Sequence, residues 1–355
     1  MGDDVYIKMR EFMNTLPAGY PSTPSGVEIR ILKKLFSPEE AELTMQLTTE
    51  PEEVPAIAVR LGLDEAGLAK KLENMAQKGL IFRVKRGDKA LYKAVQFIVG
   101  VYEFQLNYLD EEFCRMFEEY LPYFGMSLMS VKTKQLRVIP VESAMKATPM
   151  VETYNRAREM MEGQKIFSVS PCICRKERGI IGKKCDKPQE TCLGFGDVAQ
   201  FYIDNNMGRA ISKAEALKLL DFAEASGLVL SPTNSQEIAA LCCCCTCCCP
   251  TLKYAKLMPR PVDMVMSYYQ ATIYAELCTN CGLCPERCQM AAIKEGEASY
   301  QIVDGRCIGC GLCVSACPTE AISLLPKPGM TPPPADFWHD TLSTIRAERD
   351  AIEAR

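Results

Sequence analysis

The residues best suited to chemistry in this 355-residue chain are its cysteines, 20 of them against a single histidine, His339. Seven crowd into eight consecutive positions within LCCCCTCCCP, residues 241–250. Eight more form two copies of C-x2-C-x2-C-x3-C, namely Cys278, Cys281, Cys284 and Cys288, then Cys307, Cys310, Cys313 and Cys317. The copies are offset by 29 residues, and each continues to an Ala-Ile pair, Ala292-Ile293 and Ala321-Ile322. Another four, Cys172, Cys174, Cys185 and Cys192, lie in a loop rich in Gly, Pro and Lys. Thiolates are soft ligands, so this inventory points to metal chemistry on sulfur. One histidine argues against a catalytic zinc held by several imidazoles, a Ser-His-Asp triad or paired histidine bases. No residue is assigned a catalytic role.

In each copy of the repeat, three thiolates at two-residue gaps can wrap a loop around three irons of a cubane. The glycine after the second cysteine, Gly282 or Gly311, permits the tight turn. The fourth iron needs a more distant ligand. Residues 270–325 resemble the bacterial two-[4Fe-4S] ferredoxins, and that resemblance implies interlocked motifs: Cys278, Cys281 and Cys284 with Cys317, and Cys307, Cys310 and Cys313 with Cys288. Cys317 is followed by Pro318 as that pattern expects, but Cys288 is followed by Gln289. Two four-cysteine zinc sites would fit the spacing poorly.

The 172–192 loop reads C-x-C-x10-C-x6-C, one complete tetrahedral set that suits either a third cubane or a structural zinc. Arg175, Lys176, Arg178, Lys183 and Lys184 interleave with it and are expected to offset thiolate charge. Within the run, Cys242, Cys245 and Cys248 are the only trio spaced C-x2-C-x2-C. Their fourth partner would be Cys249, another cysteine of the run, or one from the 172–192 loop. The expected cofactors are two [4Fe-4S] clusters plus one or two more, and a thiol–disulfide switch is the redox alternative for the run. Cys114, alone on an apolar helix face, reads as packing.

These residues need a scaffold, and composition says it is globular: 48% hydrophobic and 24% charged, long enough for two or three cores. The opening MGDDVYIKMREF lacks secretory features and no segment has the roughly 20 apolar residues of a membrane span, so a cytoplasmic protein is expected. A reducing compartment disfavours a disulfide framework. Residues 1–24 read as an N-terminal arm. Helical patterns follow from Val27, with Ser37 as N-cap and Pro38 at N1, a stop at Gly62, and a further helix capped by Asp64 and ended by Gly79. LIFRV and ALYKAV then flank the turn KRGDK, giving a winged helix over 25–95. Residues 96–165 read as a mainly helical connector and 166–269 as a cysteine-rich domain whose helix carries a Ser212/Glu215 capping box and stops at Gly227. The two-cluster domain occupies 270–325, and 326–355 is a proline linker with a terminal helix expected to dock on a partner. The predicted fold class is multidomain α+β: an N-terminal winged helix, a mainly helical cysteine-rich middle and a C-terminal ferredoxin-like domain.

The winged-helix pattern, SPCICR, the NSQ segment at 234–236, the cysteine run and the ferredoxin tail together resemble the [4Fe-4S] ferredoxin-type proteins of anaerobes that begin with a winged helix. The resemblance implies an electron carrier serving a larger redox enzyme subunit, one carrying flavin or metal, with self-association into a homo-oligomer left open. That family's run commonly has another residue at the position of Cys243 and glycine at Pro250, which implies that Cys243 is dispensable. A redox-sensing regulator is the alternative. The net charge of −4 and a near balance over 25–95, 12 Lys/Arg to 11 Asp/Glu, make a poor nucleic-acid surface, although Lys85, Arg86 and Lys89 sit in the wing. A reductase acting on a small molecule at residues 242–249 is the third reading. LGFGDVA, with Gly194 and Gly196, lacks the strand and spacing of a nucleotide-binding loop.

Overall fold

The computed structural model describes residues 4–145 and 152–354 and has a mixed helix-and-sheet architecture. Capping chemistry positions the N-terminal helices. Ser37 and Glu40 form a reciprocal capping box with Pro38 at the first helical position of Pro38–Met45, and the Asp64 carboxylate accepts from the Gly67 N–H to open Glu65–Gln77. Gly62 ends Val54–Leu61 at φ +66°, a left-handed conformation that glycine adopts without strain. Strands Phe82–Arg86 and Lys89–Lys93 pair antiparallel, and the short strand Glu52–Glu53 adds to the second. The expected five-residue turn therefore shrinks to Gly87-Asp88, because Lys85 and Arg86 stay in register with Ala90 and Lys89.

Within the expected N-terminal arm, Asp4–Thr15 is a helix that buries Tyr6, Met9 and Met13 in the same core as the helices after it. The 96–165 stretch is less helical than its periodicity suggests. Asp110 caps a new helix, Glu111–Ser130, by accepting from the Phe113 N–H, and so cuts the apolar pattern in two. Beyond it the described residues form a two-residue strand, Arg137–Val138, paired with Met266–Ser267, and short turns of helix, Glu142–Met145, Thr153–Asn155 and Ala157–Met160. Cys114 is fully buried on Glu111–Ser130, and burial pushes its thiol up to about 12.

The middle of the chain is built on a five-stranded antiparallel sheet in the order Arg209–Ala210, Phe167–Pro171, Glu190–Phe195, Ala240–Cys244, Val229–Pro232. Glu190–Phe195 leads directly into helix Gly196–Asp204, so a strand does run into LGFGDVA and ends within it, but its neighbours are antiparallel rather than the parallel strands of a dinucleotide fold. Ser212 caps Lys213–Ala225 by accepting from the Glu215 N–H. The reciprocal half of the expected box is replaced by a Glu215–Arg209 ion pair of 2.7 Å.

After residue 266, Tyr269–Ile273 pairs with Ile322–Pro326 and Ile293–Glu295 with Tyr300–Ile302. The apolar residues of this part share one continuous core with the five-stranded sheet. The terminal helix Leu342–Glu353 packs on its own chain. Buried Arg349 donates to the Asn14 and Leu16 carbonyls, Trp338 stacks on Phe82 with Lys93 4.1 Å from its ring centre, and Thr341 donates to the carbonyl of buried Asn234. The NSQ segment is the other side of that latch, with Gln236 bonded through backbone and side chain to the Pro334 and Pro333 carbonyls. Among the described residues no helix is long and apolar enough to cross a membrane.

Candidate metal centres

All twenty cysteines are free thiols, and the fold sorts most of them into four groups. The first two come from the repeat. Gly282 and Gly311 lie at φ +80° and +77°, the left-handed turns anticipated for the residue after each second cysteine. A side chain at Gly311 would also place its Cβ 2.5 Å from that of Ala144. Cys288, Cys307, Cys310 and Cys313 line one cavity of about 20 Å3. Burial, followed by the neighbouring Cys288 and Cys307, pushes the Cys310 thiol up to about 12. In the other group, burial and then Cys317, Cys278 and Cys281 push Cys284 up to about 11. The structure thus sets Cys288 beside the second motif and Cys317 beside the first.

The Ala-Ile pairs acquire a role here. The Ala292 N–H donates to the Cys288 sulfur and the Ala321 N–H to the Cys317 sulfur, both at 3.3 Å, and the Ala271 N–H donates to the Cys307 sulfur at 3.2 Å. Such N–H···S bonds favour thiolate over thiol. Paired thiolate sets with backbone donors aimed at sulfur fit iron–sulfur ligation, in which cysteine thiolates hold the irons and hydrogen bonds to sulfur tune the potential.

The third group regroups the cysteines of the run and of the 172–192 loop. In strand Ala240–Cys244 side chains alternate, so Cys242 and Cys244 share a face while Cys243 turns the other way. Cys242 lies opposite Cys192 on the neighbouring strand. Cys242 hydrogen-bonds Cys192, Cys244 bonds Cys242, and Cys249 bonds Cys244. Cys172 and Cys174 bond each other, and Cys174 lies beside Cys249 and Cys244. These six thiols line a cavity of about 120 Å3 with Tyr102, Glu103 and Tyr202 on its wall, and Cys243, Cys245 and Cys248 reach its edge.

Each donor thiol of this chamber, Cys174, Cys242, Cys244 and Cys249, is pushed well above the ordinary thiol range by the bond it gives to its neighbour and then by burial. Cys172 moves the other way, because it accepts from Cys174 and, against the cost of burial, faces the Arg175 charge and the N–H groups of Arg175 and Cys174. Cys172 and Cys249 are also the N-caps of the helices Ile173–Ile180 and Pro250–Leu257, whose positive ends favour thiolate. Pro250, unusual beside the resembling family, is thus the first residue of a helix, a position where its missing N–H costs nothing. Four thiols that resist ionisation singly, Cys174, Cys242, Cys244 and Cys249, suit a centre that brings its own positive charge, and four ligands suffice for a cubane.

The fourth group is Cys185, Cys245, Cys247 and Cys248, whose sulfurs all lie within 4.8 Å of one another. Neither set suggested by spacing is assembled as such. Cys185 leaves Cys172, Cys174 and Cys192 and joins Cys245 and Cys248, while Cys242 stays in the chamber. The reason is that the three-residue spacing, which gathers thiols when it falls within one loop, here spans two elements: Cys242 lies in strand Ala240–Cys244 and Cys245 opens the turn after it. Cys244, Cys247 and Cys249 complete the two groups; strand alternation could have found Cys244, whereas Cys247 and Cys249 lie in the turn beyond the strand and carry no such signal.

Of the five interleaved basic residues, Arg175 faces sulfur. It is buried and donates to the Thr191 hydroxyl and, at 2.8 Å, to the Cys243 carbonyl. Burial opposes its charge, but Cys172, Cys245 and Cys244 outweigh that cost and hold it protonated. Lys176 donates to the Leu106 carbonyl, and Arg178 and Lys183 pair with Glu118. Cys243 contributes its carbonyl to Arg175 and its side chain to the core.

The ferredoxin part meets the run at Gln289. Its side-chain oxygen accepts from the Thr246 N–H at 2.7 Å, and its amide donates to the Gly227 carbonyl. A proline after Cys288 could make neither bond. Residues 271–324 match a protein family described as the 4Fe-4S dicluster domain. No curated protein and no solved structure matches the chain. The chain therefore carries a two-cluster iron–sulfur module, with the electron-transfer role that such a module serves.

Proposed function

We propose that the chain is an electron-transfer subunit or shuttle that passes low-potential electrons to or from a larger oxidoreductase of anaerobic metabolism, with a third [4Fe-4S] cluster in the six-thiol chamber. The observation that carries this reading is the Gln289–Thr246 contact, which ties the residue after Cys288 to the turn between the chamber ligands Cys244 and Cys249. In this reading Cys278, Cys281, Cys284 and Cys317 hold one ferredoxin cluster and Cys307, Cys310, Cys313 and Cys288 the other. Clusters of this kind supply one-electron couples over a span of roughly −700 to +450 mV. The protein's part is to hold them close, bury them and set the charge around them. Arg175 does the last at the chamber, and the short path from Cys288 through the Gln289 side chain to the Thr246 N–H does the first. A partner with its own flavin or metal would complete the redox reaction.

The helices of 27–77 followed by the hairpin 82–93 support a winged helix at the N-terminus, used here for packing inside the chain. The wing cations that would face nucleic acid are engaged: Lys85 pairs with Asp204 at 2.8 Å, Arg86 with Asp197 at 2.6 Å and Lys89 with Glu53 at 2.9 Å. Two of these bonds run from the wing to helix Gly196–Asp204 of the sheet region. This favours the carrier over the regulator.

Iron and sulfide analysis with EPR on stepwise reduction tests the proposal. Anaerobically purified protein is expected to hold about twelve irons, about eight of them in the ferredoxin module. The double variant Cys172→Ser/Cys242→Ser is expected to lose about four irons and one EPR signal. About eight irons in both proteins would confine electron transfer to the module and leave the chamber as a thiol switch.

A further inference from the structure

Cys185 comes from the loop after helix Ile173–Ile180, and Cys245, Cys247 and Cys248 from the turn after strand Ala240–Cys244. The Cys185–Cys247 sulfurs are 3.2 Å apart, and the Cys185–Cys245 and Cys247–Cys248 pairs are each 3.9 Å apart. Four sulfurs at about 2.3 Å from one tetrahedral ion stand about 3.8 Å from each other. The thiolates of a cubane bind four different irons at its corners and stand farther apart. The same molecule supplies the ruler: among the described residues this is the one group of three or more cysteine, histidine, aspartate or glutamate ligands whose donor atoms all lie within 4.8 Å of one another, and neither ferredoxin quartet closes so far.

We propose that Cys185, Cys245, Cys247 and Cys248 bind a single zinc ion as a structural centre separate from the iron–sulfur clusters. Four thiolates leave no open position, which is the form of a structural rather than a catalytic site. For a given ligand set zinc also binds more tightly than ferrous iron. The surroundings serve such an anionic centre. The Lys187 N–H donates to the Cys185 sulfur at 3.4 Å, and the buried Arg175 charge lies beside Cys245. Three of the ligands come from a five-residue turn that also holds Thr246 and Cys249, so closing the shell with Cys185 locks that turn to the 181–189 loop. The ion thereby fixes the part of the chain that carries a chamber thiol and receives the Gln289 bond. The assignment rests on four sulfur positions and stands whether or not the chamber holds a cluster.

The test is metal analysis and zinc K-edge X-ray absorption on the full-length chain, purified anaerobically, beside Cys185→Ser and Cys247→Ser. The wild type is expected to hold about one zinc with four sulfur neighbours at about 2.3 Å and no metal neighbour. Both variants are expected to lose zinc while keeping their iron, their sulfide and their EPR signals. If the variants fail to fold, wild type grown with cobalt in place of zinc decides, since a tetrahedral tetrathiolate cobalt spectrum is expected. Absence of zinc, a mononuclear iron in the same shell, zinc retained by both variants, or loss of about four irons with sulfide from either one would overturn the proposal.

Discussion

At the scale of single residues, side-chain direction decides chemistry more than chain position does. Cys242, Cys243, Cys244 and Cys245 are consecutive, yet two face the chamber, one lies in the core and one joins Cys185. Arg175 touches both resulting centres, so its charge should bias each. Replacing Arg175 by Gln removes a buried cation beside thiolates and makes the chamber harder to reduce, while Arg175→Lys retains the charge and loses the forked bonds to Thr191 and Cys243. An EPR-monitored redox titration should show the chamber potential falling by tens of millivolts in the Gln variant and by less in the Lys variant. An unchanged potential in both would remove Arg175 from the centre's electrostatics. The Ala-Ile pairs make the same point, since each alanine matters through the N–H it turns toward a sulfur four residues earlier.

Elements are where caps and periodicity were most informative and where they also misled. Ser37, Pro38, Gly62 and Asp64 announce helix ends whose geometry is local, so the N-terminal helices could be read directly. Asp110 is an N-cap of the same kind inside an unbroken apolar pattern, and it splits what periodicity alone reads as one helix. The terminal helix, for which a partner is expected, packs on its own chain: its Arg349 is only 7% exposed and bonded to carbonyls at the end of the first helix. Arg349→Ala strips those buried carbonyls of a charged donor and should cost about 2–3 kcal/mol. Denaturant unfolding should register the loss with iron content unchanged. Wild-type stability in this variant would show that the tail only rests on the body.

At the scale of the whole molecule, the module of residues 271–324 shares its core with the five-stranded sheet and is bonded at Gln289 to the turn after strand Ala240–Cys244 and at Arg287 to helix Lys213–Ala225. Substituting Gln289 by Ala cuts the link to Thr246 without touching a ligand. Iron content should stay constant while reduction of the chamber through the module slows about tenfold, as reorientation of a docked centre loosens its coupling. Stopped-flow reduction monitored at both centres checks this, and coincident, unslowed phases would remove Gln289 from the path. The departure from proline at this position carries its own explanation: only a side chain with both an acceptor and a donor can meet Thr246 and Gly227 at once.

The sequence by itself determined the iron–sulfur module, because ligand spacing, turn glycines and a 29-residue repeat are local features that a loop around a cubane enforces directly. It also determined that sulfur would carry the chemistry of the middle region, since 20 cysteines and one histidine leave little else. Only the tertiary structure decided which of those sulfurs belong together. Cys192 meets Cys242 through strand pairing, Cys185 meets Cys247 through a loop closing over a turn, and Gln289 meets Thr246 across 43 positions. Each of these contacts depends on which face of a strand points where and on which elements pack against it, and spacing along the chain encodes neither.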